Sequence, residues 1–557
     1  LEQALALPPA RLTPRQKSQA LLTRARLEAK KGEDDASLAS LEAAIEAWPG
    51  NVEAINLLSE RHFATKNYEK ALEQLEALET KGVQSAQIAI KIAQCHEALN
   101  RADRAEKTLS RAVETYPKDP TVHVALGDAL LAQRRFEDAR KAYDKALEVD
   151  GTHEPAVLKI AQLMVKETKV PEAIEYLKGA LQANPDAGVL HAGLADLNKR
   201  MAEVSGEKSL LKDAEAGYRK ALALEPALVG AQASLSQVLL ALDRPKEALE
   251  QLESLVQRPD FHGDLSYELG VAKQRLGKID EAIEHFDAAL KRRPEDAELL
   301  LAAGWAYFEH GDNAKARDLL NKVNALEPKL YHAHYAIGRV DFAEGQPAAA
   351  VQRIKLALEE DKRNYTYRYW LGRALEAQED KAAAKAARAE YDLVVRAMRD
   401  DESLTETLCD AFYRRGVMES ATFAEWEGAK KDFEAALKCD ADRPEIWFAL
   451  AKVQEMSNEL KPALASIKEA TRLKPDLAAA YDLAAGIHLR SRPADKRAAQ
   501  RMSELAIKHD PDLAAAHFRL CEIHVSSNRG LARKHCARYL ELEPKGLNAD
   551  TAREYLR

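Results

Sequence analysis

The sequence predicts an all-α fold, an α-solenoid of about fifteen helix–turn–helix repeats. Three observations carry that prediction. Prolines recur on a lattice of 34 residues, small residues recur at fixed places inside each period, and the composition is helical. Ala, Leu, Glu, Lys and Arg dominate, whereas 24 Gly and 21 Pro are few for 557 residues. The repeat overrides the usual division of such a length into three or four globular domains, because a solenoid grows without one central core.

The clearest unit is LGVAKQRLGKIDEAIEHFDAALKRRP, residues 269–294, followed by AGWAYFEHGDNAKARDLLNKVNALEP, residues 303–328. Their closing prolines, Pro294 and Pro328, share a slot with Pro49, Pro117, Pro185, Pro226, Pro475, Pro511 and Pro544. Glycine fills another slot at Gly127, Gly270, Gly304, Gly338 and Gly372. Alanine fills a third at Ala139, Ala173, Ala248, Ala282, Ala316 and Ala350, and a fourth at Ala112, Ala146, Ala221, Ala289 and Ala357. Tyr143, Tyr218, Phe286 and Phe433 fill the large slot between those two alanines. Two antiparallel helices approach closely only where side chains are small, and large neighbours then fill the space beside them. Proline cannot donate the helical hydrogen bond and pushes the residue before it out of the helical region, so it closes the second helix. Gly277, Gly311 and Gly345 mark the turn between the two helices.

This pattern resembles the tetratricopeptide repeat family, whose period is 34 residues. The resemblance covers nearly the whole chain and implies helix pairs stacked into a right-handed superhelix, with the first helix of each pair lining a concave surface. The expected organisation is an irregular lead-in over 1–15, an array over 16–185, a repeat with an insertion over 186–226, and a central array over 227–378. A degenerate or elongated repeat is expected over 379–424, a C-terminal array over 425–544 and a capping helix over 545–557. The seven extra residues around MAEVSGEKSLLKD are expected to lengthen a turn or a second helix, and KAAAKAARAEYDLVVRAMRDD reads as one long helix.

The chemistry-bearing motifs are sparse. No glycine-rich phosphate loop, nucleophile elbow or paired-histidine metalloprotease motif occurs, so no enzyme activity, cofactor or catalytic residue is expected. His517, Cys521 and His524 stand at i, i+4 and i+7 on one helical face, with His535 and Cys536 nearby. They have zinc-compatible chemistry, but the repeat register makes His517, Cys521, His524 and Cys536 ordinary packing positions, so no metal is expected. The other cysteines are Cys95, Cys409 and Cys439; five widely spaced cysteines imply no disulfide framework and suit reduced thiols in a cytoplasmic setting. A net charge of −8, from 82 basic and 90 acidic residues, gives no reason to expect nucleic acid. No apolar run reaches the ~20 residues of a membrane span. The chain opens on Leu1 rather than Met, which is expected of a processed protein, and an upstream signal or anchor in a periplasmic or membrane-attached protein stays open.

The expected site is the concave face. The resemblance places Tyr267, Trp305, His332, Tyr335, Arg339, Tyr369 and Arg373 there, together with Phe308 and Phe342, while Tyr331, Tyr365 and Tyr367 lie close by in sequence. Aromatic rings interleaved with arginine have the composition of an interface hot spot. The competing account packs these rings against the next repeat, most readily Phe308 and Phe342. The Lys and Asn pair with which some relatives clamp a C-terminal carboxylate is missing; Asn56 and Glu60 occupy one such pair of positions. The expected function is a non-catalytic, monomeric scaffold for a peptide or small protein. The alternatives are an outer face or C-terminal repeats that dock a folded partner, such as a small GTPase or a bacterial motility, polarity, pilus or envelope-assembly component, and a recruiting array of a larger enzyme. Phe448 and Phe518 are the free aromatics of the C-terminal block; Trp447 and Tyr481 fall in a packing slot. The high Ala and Arg content suggests a bacterial source.

Overall fold

The structure is a computed structural model that describes residues 13–80, 82–378, 380–398 and 405–556. Most of the expected lead-in, and residues 379 and 399–404 of the expected elongated repeat, lie outside the described residues. Among the described residues there are 31 helices in tandem pairs and no strands, the last helix being Ala549–Leu556. The helices divide into two compact units, one ending at Gly277 and the other starting at Lys278.

Pro120–Ala132 and Phe136–Val149 show why a regular pair forms. Asp119 caps the first helix by accepting from the Thr121 backbone N–H at 2.9 Å, and Pro120 supplies the fixed φ of a first-turn residue. Arg134 turns the chain in the left-handed region at φ 62°, and the second helix runs to Val149. Gly127 faces Tyr143, which is fully buried and donates its hydroxyl to Asp128 at 2.7 Å. The same fit recurs at Gly372, where an added Cβ would stand 2.7 Å from the Tyr391 ring. Within each unit the first helices of adjacent pairs also touch one another, so they form the inner layer. The apolar interior is accordingly a string of clusters between neighbouring pairs, one of them running from Tyr335 to Val453.

A polar clasp accompanies this packing. His123 and His191 each place a ring nitrogen 3.1 and 2.9 Å from the carbonyls of Pro117 and Pro185. Trp447 donates to Ala441 O at 2.8 Å, Tyr481 to Pro475 O at 3.1 Å, and His517 meets Pro511 O at 2.9 Å. In every case the acceptor lies six residues upstream, at the loop closing the previous repeat. A carbonyl accepts only, so the histidine nitrogen facing it carries the proton.

Several expectations need correction. Pro14 belongs to the first helix, Pro14–Lys30, rather than to an irregular lead-in; Thr13 and Gln16 form a capping box in front of it, where proline is favoured. The insertion within 186–226 lengthens both helices, Gly188–Ser205 to 18 residues and Lys208–Leu224 to 17, against 13 and 14 in the regular pair, and leaves a short turn at Gly206. Over 379–424 no correction is needed to the long helix read from the sequence, which runs over Lys381–Met398, and a second long helix, Thr405–Ala421, joins it. The expectation of unpaired thiols is also overturned. Cys409 is bonded to Cys439 and Cys521 to Cys536, and Cys95 is the free cysteine among the described residues. Their separations of 30 and 15 residues hide this, because the helical hairpin folds each pair to Cα distances of 5.8 and 5.1 Å.

Candidate binding face

Three first helices of the second unit, Ala297–His310, Tyr331–Ala343 and Tyr365–Glu376, carry six of the seven expected residues. Tyr267 stands half-buried on Ser266–Arg275 of the first unit. The two arginines, Arg339 and Arg373, lie against the rings around them. Arg339 lays its guanidinium 3.4 Å from the centre of the Trp370 ring and lies 5.8 Å from Trp305 and 5.5 Å from Phe308. Arg373 approaches Trp370 from one turn further along, at 5.2 Å, and Phe342 at 5.6 Å. Stacking of a planar, weakly hydrated cation on these rings is favourable and leaves the edges of the ladder open to solvent.

The tyrosines support the arginines instead of forming the surface. Tyr335 is 8% exposed and Tyr369 6%, so both are buried, while Phe308 and Phe342 are half-buried and pack against the next repeat, Phe308 on Ala336, Ile337 and Val340 and Phe342 on Trp370. Tyr335 stacks on Tyr367 with ring centres 4.3 Å apart, and Arg339 donates to its hydroxyl at 3.1 Å. Arg373 donates to the Tyr369 hydroxyl at 3.0 Å, which in turn donates to Asp410 at 2.6 Å. Burial, reinforced by Asp410, pushes the Tyr369 phenol up to about 12. Burial opposes the charge of Asp410, but hydrogen bonds from Tyr369, Arg414 and Arg443 outweigh it and hold the carboxyl below its usual range. His332 remains exposed, its ring edge-on to Tyr367 at 6.1 Å, and Trp305 is half-buried 5.6 Å from Tyr335. Arg339 Nε and the Tyr367 hydroxyl are buried and lack a hydrogen-bond partner.

Trp370 and Asp410 were missed by sequence reasoning. Trp370 is central to the ladder, but its position in the repeat is not one that the family turns towards the groove. Asp410 lies within 379–424, where the lattice of small residues is interrupted in the sequence. Missed as well was an apolar pocket of about 620 Å³ lined by Tyr413, Val417, Trp426, Phe448 and Met456. A second cavity borders a buried charge network in which Arg415 grips Asp432 through two bonds of 2.6 Å and Asp392 through one of 2.7 Å. Burial pushes Asp432 and Glu419 up, against the pull of Arg415. Among the described residues no three His, Cys, Asp or Glu side chains are placed to hold a metal ion.

Comparisons with known proteins bear on the repeat itself. One Tetratricopeptide repeat model matches residues 22–87, 56–120, 90–155, 267–328 and 335–401, and a second matches 130–197. Protein STIP1 homolog of Dictyostelium discoideum is 28% identical over 173 residues, which is 31% of this chain and 29% of that protein. Cellulose synthase operon protein C of Xanthomonas axonopodis pv. citri is 26% identical over 45% of this chain and 18% of its own length. TPR repeat-containing protein YpiA of Bacillus subtilis is 24% identical over 48% of this chain and 62% of its own. The chain thus spans under a third of the first two relatives and under two thirds of the third. Among solved structures, the Cut9–Hcn1 APC/C hetero-tetramer aligns over 98% of this chain and 97% of its own at 16% identity, with a TM-score of 0.35. Repeat matches from residue 22 to 197 and from 267 to 401, on a scaffold of tandem helix pairs, place the chain in the tetratricopeptide repeat family.

Proposed function

We propose that this chain is a non-catalytic scaffold whose ladder over residues 297–376 holds a peptide or small protein. Tetratricopeptide repeat proteins are in general protein-interaction scaffolds. The observation that carries the finer reading is the stack of Arg339 and Arg373 on Trp370, edged by Trp305, Phe308 and Phe342. Rings and guanidinium groups on an inner helix layer are the groups that dominate interface energetics. Arg339 Nε is buried beneath the ladder, so a ligand carbonyl or carboxylate would meet the terminal guanidinium nitrogens instead. In this reading Trp305, His332, Arg339 and Arg373 meet the ligand, Tyr335 and Tyr369 hold the arginines in place, and Tyr267 offers a separate contact on the first unit. The carboxylates with raised pKa at Asp432 and Glu419 sit beside guanidinium groups, which suits a structural role better than proton transfer.

No described helix is long and apolar enough to cross a membrane. The two closed cysteine pairs favour an oxidising compartment over the cytoplasm expected from the cysteine count. The test is affinity capture with the full chain and with Arg339→Ala. The captured partner should be lost or weakened at least tenfold, with unchanged helical circular dichroism. Equal capture by both proteins would refute the ladder as the binding face.

A further inference from the structure

The apolar pocket lies apart from the arginine ladder along the second unit, between Thr405–Ala421, Trp426–Cys439 and Pro444–Met456. Tyr413, Val417, Trp426 and Phe448 supply its walls, and Phe433, fully buried against Gly416, supplies its base. At about 620 Å³ it falls within the range of pockets that bury a ligand of several rings' size, roughly 300–1,000 Å³. Apolar surface of this extent is left unfilled by the described residues. Met456 stands at the mouth with 55% of its surface exposed, and its flexible thioether adapts to differing occupants.

The charges at the rim are unequal. Lys452, Lys474 and Glu445 line the pocket and are exposed. Lys452 holds its ammonium 5.8 Å over the Phe448 ring, and among the described residues neither lysine meets a carboxylate. The neighbouring cations are different. Lys430 is bound to Glu459 at 2.7 Å, Arg443 to Asp410 at 3.1 Å and Arg415 to Asp432 at 2.6 Å. In a chain of net charge −8, two unmatched ammonium groups beside an empty apolar pocket complement an occupant that is both bulky and acidic. The pocket opens to solvent along Glu445, Lys452 and Met456, so an extended chain can pass over it while its side chains descend.

We propose that this pocket is a second binding subsite, which takes a bulky apolar side chain from an acidic peptide segment while Lys452 and Lys474 pair with the flanking carboxylates. The proposal rests on the scaffold reading above and adds the chemistry of a ligand at a different place. The test uses the full chain and two fluorescently labelled synthetic peptides, Asp-Glu-Phe-Leu-Asp-Glu and the same peptide with lysine for every acidic residue. In anisotropy titrations the acidic peptide should bind at least tenfold more tightly than the basic one. Phe448→Ala should weaken it at least tenfold, and Lys452→Glu with Lys474→Glu should abolish the preference for acid. The two lysines are exposed, so the double variant keeps the test valid if Phe448→Ala disturbs folding. No binding of the acidic peptide, equal binding of both, or indifference to the lysine reversals would overturn the subsite. A chain that fails with the peptides but still shows Arg339-dependent capture loses this subsite alone; peptide binding without that capture removes the ladder instead.

Discussion

Arg339 depends on its neighbours for its role: its guanidinium rests on Trp370 of the next first helix, and the phenol beneath it, Tyr335, is fixed by Tyr367. Arg339, Arg373 and Trp305 were singled out in the sequence because the family resemblance assigns their repeat positions to the concave face, and the structure gathers them around Trp370. Trp370 was not, because it joins the ladder by crossing between two repeats, and a position within one repeat carries no information about that. The histidines of the last pair illustrate the same lesson. His517 uses one ring nitrogen for Pro511 O and presents the other to His535 at 3.1 Å, and the His524 ring stacks 6.5 Å from His535. Burial, with His517 and His524 adding to it, lowers His535 to about 4; Lys534 acts in the same direction and Glu504 opposes. An imidazole ordinarily titrating at 6.5 therefore takes up its proton more readily in the unfolded chain. Its stabilising contribution is complete above 6.5 and is lost as the pH falls towards 4. Urea denaturation of the native chain and of His535→Gln, at pH 7 and at pH 5, should show a smaller acid-induced loss in the variant; equal losses would refute this account.

The turn between paired helices follows the same lattice as the prolines. Lys66, Asn100, Arg134 and Thr168 have φ of 58°, 57°, 62° and 63°, and Gly277, Gly311 and Gly345 have 74°, 95° and 73°. The sequence revealed this slot only where glycine occupied it. Elsewhere tertiary packing holds an ordinary residue in a conformation that its Cβ disfavours by about 1–2 kcal/mol. Thr168 is the β-branched case and its side chain is exposed, so it loses little packing on removal. Thr168→Gly is expected to raise stability by about 1 kcal/mol, after the entropy cost of glycine, in chemical denaturation; destabilisation would show that the threonine side chain matters. The lengthened pair over Gly188–Leu224 was legible as seven surplus residues but not as two longer helices, since an insertion on a helix-favouring sequence can extend either arm or the turn.

Across the whole molecule, the fold was legible because the same small-residue constraint recurs in pair after pair, so that chance substitutions are averaged out. The disulfides were not, because a thiol pair depends on which faces the hairpins bring together and not on spacing. The structure gives a countable outcome: among the described residues, Cys95 is the free cysteine and the other four are paired. Alkylation in denaturant should therefore modify one thiol without reductant and five after reduction, measured by intact mass. Five modified thiols without reductant would refute the pairing and restore the cytoplasmic expectation.

Within each unit a helix pair answers chiefly to the pairs on either side of it, and the apolar clusters follow suit. Such a chain tolerates duplication or loss of whole pairs, since the cut surfaces left by an excised pair resemble each other and can rejoin. A harmful substitution stays confined to its own stretch, and distant stretches are free to diverge. That freedom allows one stretch to accumulate aromatic rings and guanidinium groups while others keep a plainer surface, so that ligand specificity can change without any redesign of the framework.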